Sequence, residues 1–113
     1  MLKVLIEQRS NVEVIVAETG MEALELFQSH LDMGEPISFA VCDIKLPDIS
    51  GLDVAAELRE KHSLPLVMIT AHDTTKIMDH ARSRGFKVLS KSMGLKEIAE
   101  EVVGTLKSIG VGA

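Results

Sequence analysis

Three residues able to do chemistry each close a separate apolar run. They are Asp43 after Ile37–Cys42, Thr70 after Leu66–Ile69, and Lys91 after Phe86–Ser90. Asp43 is the one to explain first. The run before it has the character of a strand buried on both faces, and Pro47, Asp48, Ser50 and Gly51 then break the chain into a loop. An acid at the point where a buried strand becomes a loop sits where open α/β sheets place their chemistry. If the three runs are parallel strands, their ends lie along one rim. An acid, a hydroxyl and an ammonium then converge from positions far apart in sequence.

The elements that must position them follow from periodicity. Leu52 to His62 is a helix of strong formers, following the Asp43 loop directly. Pro65 opens the strand Leu66–Ile69, which ends at Thr70-Ala71. Asp73 to Arg84 is a weaker helix with Ile77, Met78 and Ala81 inward and Gly85 as its C-cap. Phe86 to Ser90 is a short strand. Leu95 to Ile109 is the last helix, with Leu95, Ile98, Ala99, Val102, Leu106 and Ile109 in one stripe. Nearer the start, Thr19 N-caps a helix with Glu22 as capping-box partner, and Ala23, Leu24, Phe27 and Leu31 face inward. Val12 to Ala17 is β-branched and strand-like. Met1 to Gln8 fits a helix or a strand. Strands separated by single helices predict a parallel sheet with helices on both faces.

Composition narrows the function. A chain of 113 residues supports a single domain with one core, and 46% apolar with 26% charged residues is a globular composition. The net charge of -5 argues against direct nucleic-acid binding. No apolar run approaches a membrane span and no signal peptide opens the chain, so a cytoplasmic protein is expected. Cys42, inside the apolar run, reads as a buried, inert thiol. His30, His62, His72 and His80 show no metal-ligand spacing. Met68 and Met78 read as core. The clusters Glu57, Arg59, Glu60, Lys61 and Glu97, Glu100, Glu101 read as solvated faces.

With these residues in view, the chain resembles the receiver domain of response regulators in two-component signalling, the CheY-like family. The resemblance rests on Asp43-Ile44-Lys45-Leu46-Pro47 with Gly51 eight after the acid, on Pro65 through Thr70-Ala71, and on Lys91. Thr19-Gly20-Met21-Glu22-Ala23-Leu24 also matches the family's approach to its second helix. The resemblance covers 1–113 as a single receiver-like domain. It implies a flavodoxin-like (CheY-like) α/β fold with a parallel sheet of order 2-1-3-4-5, an order known for CheY itself. It implies that Asp43 accepts a phosphoryl group from a histidine kinase or phosphotransfer protein. Thr70 would then act as the switch hydroxyl, Lys91 would neutralise charge, and the Lys45 carbonyl with Asp43 would hold Mg²⁺. A regulatory phosphoacceptor of this kind is not an enzyme in its own right. His72 would at most tune the access of water.

The chain departs from the family pattern at its start. The opening strand and its pair of Mg²⁺-binding acids would fall before Met1, so the resemblance implies an N-terminally truncated sheet whose middle strand is missing. Three remedies are open. The flanking strands pair directly in a four-stranded sheet; Leu2 to Glu7 becomes a strand, with Glu7 standing in for a lost acid; or a homodimer or swapped assembly covers the gap. A helix at the start with a rearranged or dimeric sheet is favoured. Without the acidic pair, Mg²⁺ binding is expected to be weak and phosphorylation impaired. Val88 also stands where the family has an aromatic residue, with Phe86 on the same strand face, and Ser92 replaces the proline that follows the lysine.

Two other functions remain in competition. One is a phosphorylation-independent pseudo-receiver acting as a protein-interaction module. The other is a hydrolase or phosphatase fragment with Asp43 as nucleophile, ranked last because it lacks a second carboxylate.

Overall fold

The computed structural model describes residues 2–71 and 75–111. Its centre is a parallel three-stranded sheet with β1 (Ala40–Asp43), β2 (Leu66–Thr70) and β3 (Val88–Ser90) side by side in chain order. The register sets Asp43 opposite Ile69 and Thr70 opposite Ser90, so the carboxyl ends of all three strands share one rim. Each crossover is a helix, α3 (Gly51–His62) between β1 and β2 and α4 (Thr75–Ser83) between β2 and β3.

Alternation along the strands feeds two cores. Cys42, Met68 and Val88 face α3, α4 and α2 (Gly20–Asp32), where Phe27, Val54, Ala55, Leu58 and Ala81 are buried. Val67, Ile69 and Leu89 face the other way, onto α1 (Leu2–Arg9) and α5 (Leu95–Ser108), where Ile6, Ile98, Ala99, Val102, Val103 and Leu106 close the second core. A sheet covered by helices on both faces needs strands apolar on both sides, and these are.

The largest correction concerns Val12 to Ala17, which is not a strand. Its β-branched composition favours extended backbone, but extension becomes a strand only where a neighbour supplies a ladder. Among the described residues this segment makes no backbone–backbone hydrogen bond. Val12 and Val14 tuck against the α1/α5 core, Ile15 and Val16 are exposed, and the Val14 amide donates to Glu7 Oε2 at 2.9 Å. Residues 2–9 form the helix α1, packed on α5. Glu7 therefore serves Val14 and does not replace an acid at the rim. Neither the 2-1-3-4-5 order nor a four-stranded sheet is formed by the described residues. Because the Ala40 amide bonds to Pro65 and that of Ile44 to Ile69, period two turns the backbone of Val41 and Asp43 toward the side of β1 where no described strand pairs.

Smaller corrections have local causes. Leu95 and Ile109, expected in the α5 stripe, are 48% and 42% exposed because they stand at the helix ends, beyond the reach of the sheet. Leu31, on the last turn of α2, is likewise 40% exposed. Arg59 is not on a solvated face: its guanidinium lies 4.0 Å over the Phe86 ring and donates to the Arg84 carbonyl at 2.6 Å. The expected helix start at Asp73, and His72, lie outside the described residues.

Candidate functional site

The rim site begins with the way β1 ends. The Gly51 amide bonds back to the Ile44 carbonyl at 2.9 Å, closing the loop Lys45–Ser50 into a tight turn. An added Cβ on Gly51 would stand 1.7 Å from the Asp43 carbonyl oxygen, so only glycine lets α3 start this close to the strand. That contact is the physical content of the spacing between Asp43 and Gly51. Ser50 caps α3 by accepting the Leu52 amide at 3.2 Å.

Asp48 ties the same loop to α2. Its Oδ1 accepts the Gly20 amide at 2.8 Å and its Oδ2 the Met21 amide at 2.9 Å. Thr19 Oγ1 accepts the Glu22 amide, while Glu22 reaches back to the Glu18 amide, so the start of α2 is capped from two directions. The Met21 and Gly20 amides hold the Asp48 carboxyl below the usual carboxylate range. Sequence reasoning treated Asp48 only as a loop former. The signal for its role was present in the acid five residues after Asp43, but its partner twenty-eight residues upstream of it was not.

At the rim, Lys91 Nζ lies 2.6 Å from Asp43 Oδ2, across 48 residues of sequence. Asp43 Oδ1 accepts the Lys45 amide at 3.2 Å. Thr70, 1% exposed, closes β2 one residue beyond Ile69, the register partner of Asp43. Lys91 follows β3 in a short 3₁₀ turn, Lys91–Met93, whose start is capped by Ser90 Oγ accepting the Ser92 amide at 3.1 Å. The three strand ends therefore bring acid, hydroxyl and ammonium to one edge of the sheet, with Asp43 and Lys91 in direct contact. Just beneath, Cys42 is buried, and burial together with the Asp43 charge pushes its thiol up to about 11.

The donor set for Mg²⁺ is thin. Both Asp43 oxygens already have partners, the Lys45 carbonyl is the only other ligand the resemblance offers, and among the described residues no three His, Cys, Asp or Glu side chains group as metal ligands. A small cation with near-octahedral demands does not fit this arrangement.

Comparison with known proteins agrees with the fold and the family resemblance. The family model for the response regulator receiver domain matches residues 1–103. The transcriptional regulatory protein YdfI of Bacillus subtilis is 30% identical over 103 residues, 90% of this chain and 44% of that protein. The chain thus spans less than half the length of the curated relatives it matches. A CheY-like receiver domain protein from Methanospirillum hungatei superposes with a TM-score of 0.77 at 21% identity, covering 95% of this chain and 82% of that one. The Thermotoga maritima response regulator TrrA, solved in complex with Mg(2+)-BeF, gives 0.72 at 30% identity, covering 89% and 83%. Receiver domains are in general regulatory phosphoacceptors that take up Mg²⁺ and partner with histidine kinases. With its flavodoxin-like fold, its rim of Asp43, Thr70 and Lys91, and a match running from the first residue into α5, the chain belongs to the response regulator receiver domain family of two-component signalling.

Proposed function

We propose that Asp43 is the phosphoacceptor of a single receiver-like domain spanning 1–113, phosphorylated by a histidine kinase or phosphotransfer protein. The observation that carries this reading is the 2.6 Å contact between Lys91 Nζ and Asp43 Oδ2 at the strand rim. In the transfer, an Asp43 carboxylate oxygen forms a bond to phosphorus, the bond from phosphorus to the donor imidazole breaks, and the imidazole keeps the electron pair and takes up a proton. Lys91 stands where it can neutralise the charge gathered on the phosphoryl oxygens, and Thr70 supplies a hydroxyl at the neighbouring strand end. A phosphoryl group that drew Thr70 toward it would shift α4, the helix that follows, and so change the face offered to a partner.

Phosphoryl transfer depends mainly on positioning and on charge neutralisation. One ammonium without a well-held Mg²⁺ does only part of that, so phosphorylation of this chain is slow. The experiment is incubation with acetyl phosphate and Mg²⁺, followed by intact mass. Little phosphoryl adduct on Asp43, and none on Asp43→Asn, is expected; rapid stoichiometric adduct would overturn the impairment, and an adduct retained by Asp43→Asn would overturn the assignment of the acceptor.

The thin metal donor set favours a second reading, a pseudo-receiver that binds partners without phosphorylation. Among the described residues nothing pairs with the outer edge of β1 or ladders Val12–Ala17, which favours a homodimer or swapped assembly that covers them. Sedimentation velocity checks this: a concentration-dependent dimer that Val41→Pro converts to monomer is expected, and a monomer at all concentrations rejects it.

A further inference from the structure

The loop after Asp43 and the helix α4 enclose an open groove of about 480 Å³. Its floor is aliphatic, with Leu46, Ile49 and Ile77 half-buried along it. Its rim carries two lysines and a histidine. Lys45 projects from the loop side, while Lys76 and His80, one helical turn apart, project from α4, and all three are exposed. In a chain of net charge -5, this clustering runs against the overall balance.

The two lysines are also uncommitted. The ion pairs among the described residues join Lys61 to Glu57, Lys87 to Glu101 and Lys91 to Asp43, and none reaches Lys45 or Lys76. Among the described residues, the one acid lining the groove is Asp48, and both its oxygens are held by the amides at the start of α2. Positive charge on the rim is therefore not cancelled from within the groove. An aliphatic floor under a cationic rim is the complement of an amphipathic segment with carboxylates on its polar side.

We propose that this groove is a docking site for an acidic amphipathic helix of a partner protein. Two or three aliphatic side chains of the helix seat on Leu46, Ile49 and Ile77, and its Asp and Glu side chains lie over Lys45, Lys76 and His80. The site does not require phosphorylation of Asp43 and stands whether or not the phosphoacceptor reading holds.

The probe is a fluorescein-labelled helical peptide of about twelve residues with Leu at steps of three and four and Glu elsewhere. Its control is the same peptide with Lys in place of Glu. Anisotropy titration of the full chain is expected to give binding at roughly 10–100 μM for the acidic peptide. The affinity should fall at least about tenfold, a difference of about 1.4 kcal/mol, in Lys76→Glu/His80→Glu. The parent chain should bind with no phosphoryl donor and no Mg²⁺ added. Amide shifts in the ¹⁵N spectrum should centre on Leu46, Ile49 and Ile77. If circular dichroism shows the double variant to be unfolded, Lys45→Glu, an exposed loop substitution, carries the same expectation. No binding at about 1 mM, equal binding of the basic peptide, unchanged affinity in the charge-reversed variants, or shifts centred on α5 would each overturn the proposal. So would self-association that Lys76→Glu/His80→Glu abolishes, since the occupant would then be a second copy of the chain.

Discussion

Gly51 touches Asp43 through the backbone: a side-chain carbon at Gly51 would lie 1.7 Å from the Asp43 carbonyl oxygen and 2.8 Å from that of Ile44. Strand end and helix start are thus fixed against each other, and the loop that carries Lys45 is closed by the same contact. Gly51→Ala must push α3 off the sheet or bend the strand end. Overpacking against rigid backbone places the cost at about 3 kcal/mol. The urea midpoint checks it, and an unchanged midpoint would show that the start of α3 has more room than this contact allows.

The pair of Lys91 and Asp43 is different in kind. The side chains are 40% and 30% exposed, so solvent screens their attraction, and Lys91→Ala should change folding stability by less than about 1 kcal/mol. Whatever phosphoryl acceptance Asp43 shows should nevertheless drop in this variant. Stability from urea unfolding and adduct formation with acetyl phosphate, measured on the same preparation, separate the two effects. A large stability loss would mean that the contact is structural.

Asp48 gives a pH signature whose sign follows from its lowered carboxyl pKa. The unfolded group ionises around the ordinary value of 3.8 and the folded group below it. The stabilisation is therefore fully present above that value and is lost as pH falls through the folded one. Asp48→Asn should have a lower Tm than the parent chain at neutral pH, by an amount on the order of a few degrees. The gap should close as the pH is taken well below 3.8. Thermal melts across that window decide it; a gap that persists in acid would assign the effect to something other than the carboxylate.

Cys42 should be silent in the native state. With its thiol raised to about 11, roughly one molecule in a thousand is a thiolate at pH 8, and burial blocks even that fraction. Ellman's reagent at pH 8 should react slowly with the folded chain and at once in urea. Immediate native reaction would contradict the burial.

Arg59 secures the turn from α4 to β3 by bonding the Arg84 carbonyl while stacking on Phe86. Arg59→Ala should cost about 1–2 kcal/mol by urea unfolding, and Arg59→Lys should recover little, because an ammonium cannot both stack flat and reach the carbonyl. Full recovery by lysine would reduce the contact to simple charge.

Much of this architecture could be read in the residues. The helix α3, the strand Leu66–Thr70 and the buried stripe of α5 all announce themselves by periodicity, and the rim of three strand ends follows from the alternation of strands and helices. What could not be read depended on neighbours. Val12 to Ala17 has the composition of a strand, and composition carries no information on whether a ladder stands beside it. Arg59 looks like one more charge in a polar helix face until the Phe86 ring is placed beneath it. The tie from Asp48 to Gly20 and Met21 was hidden for the same reason, since its acceptor lies in the loop after β1 and its donors at the start of α2.

The order of the strands has a consequence for how the chain folds. Among the described residues the strands pair in chain order, so β1–α3–β2 and β2–α4–β3 can form as successive short-range units. The long-range closure is the docking of α1 on α5, which joins the two ends of the chain. Contacts between distant segments carry the larger loop-closure entropy and form late. The helix α1 is therefore expected to dock after the sheet has assembled, and pulsed hydrogen exchange should find the amides of β2 protected before those of α1.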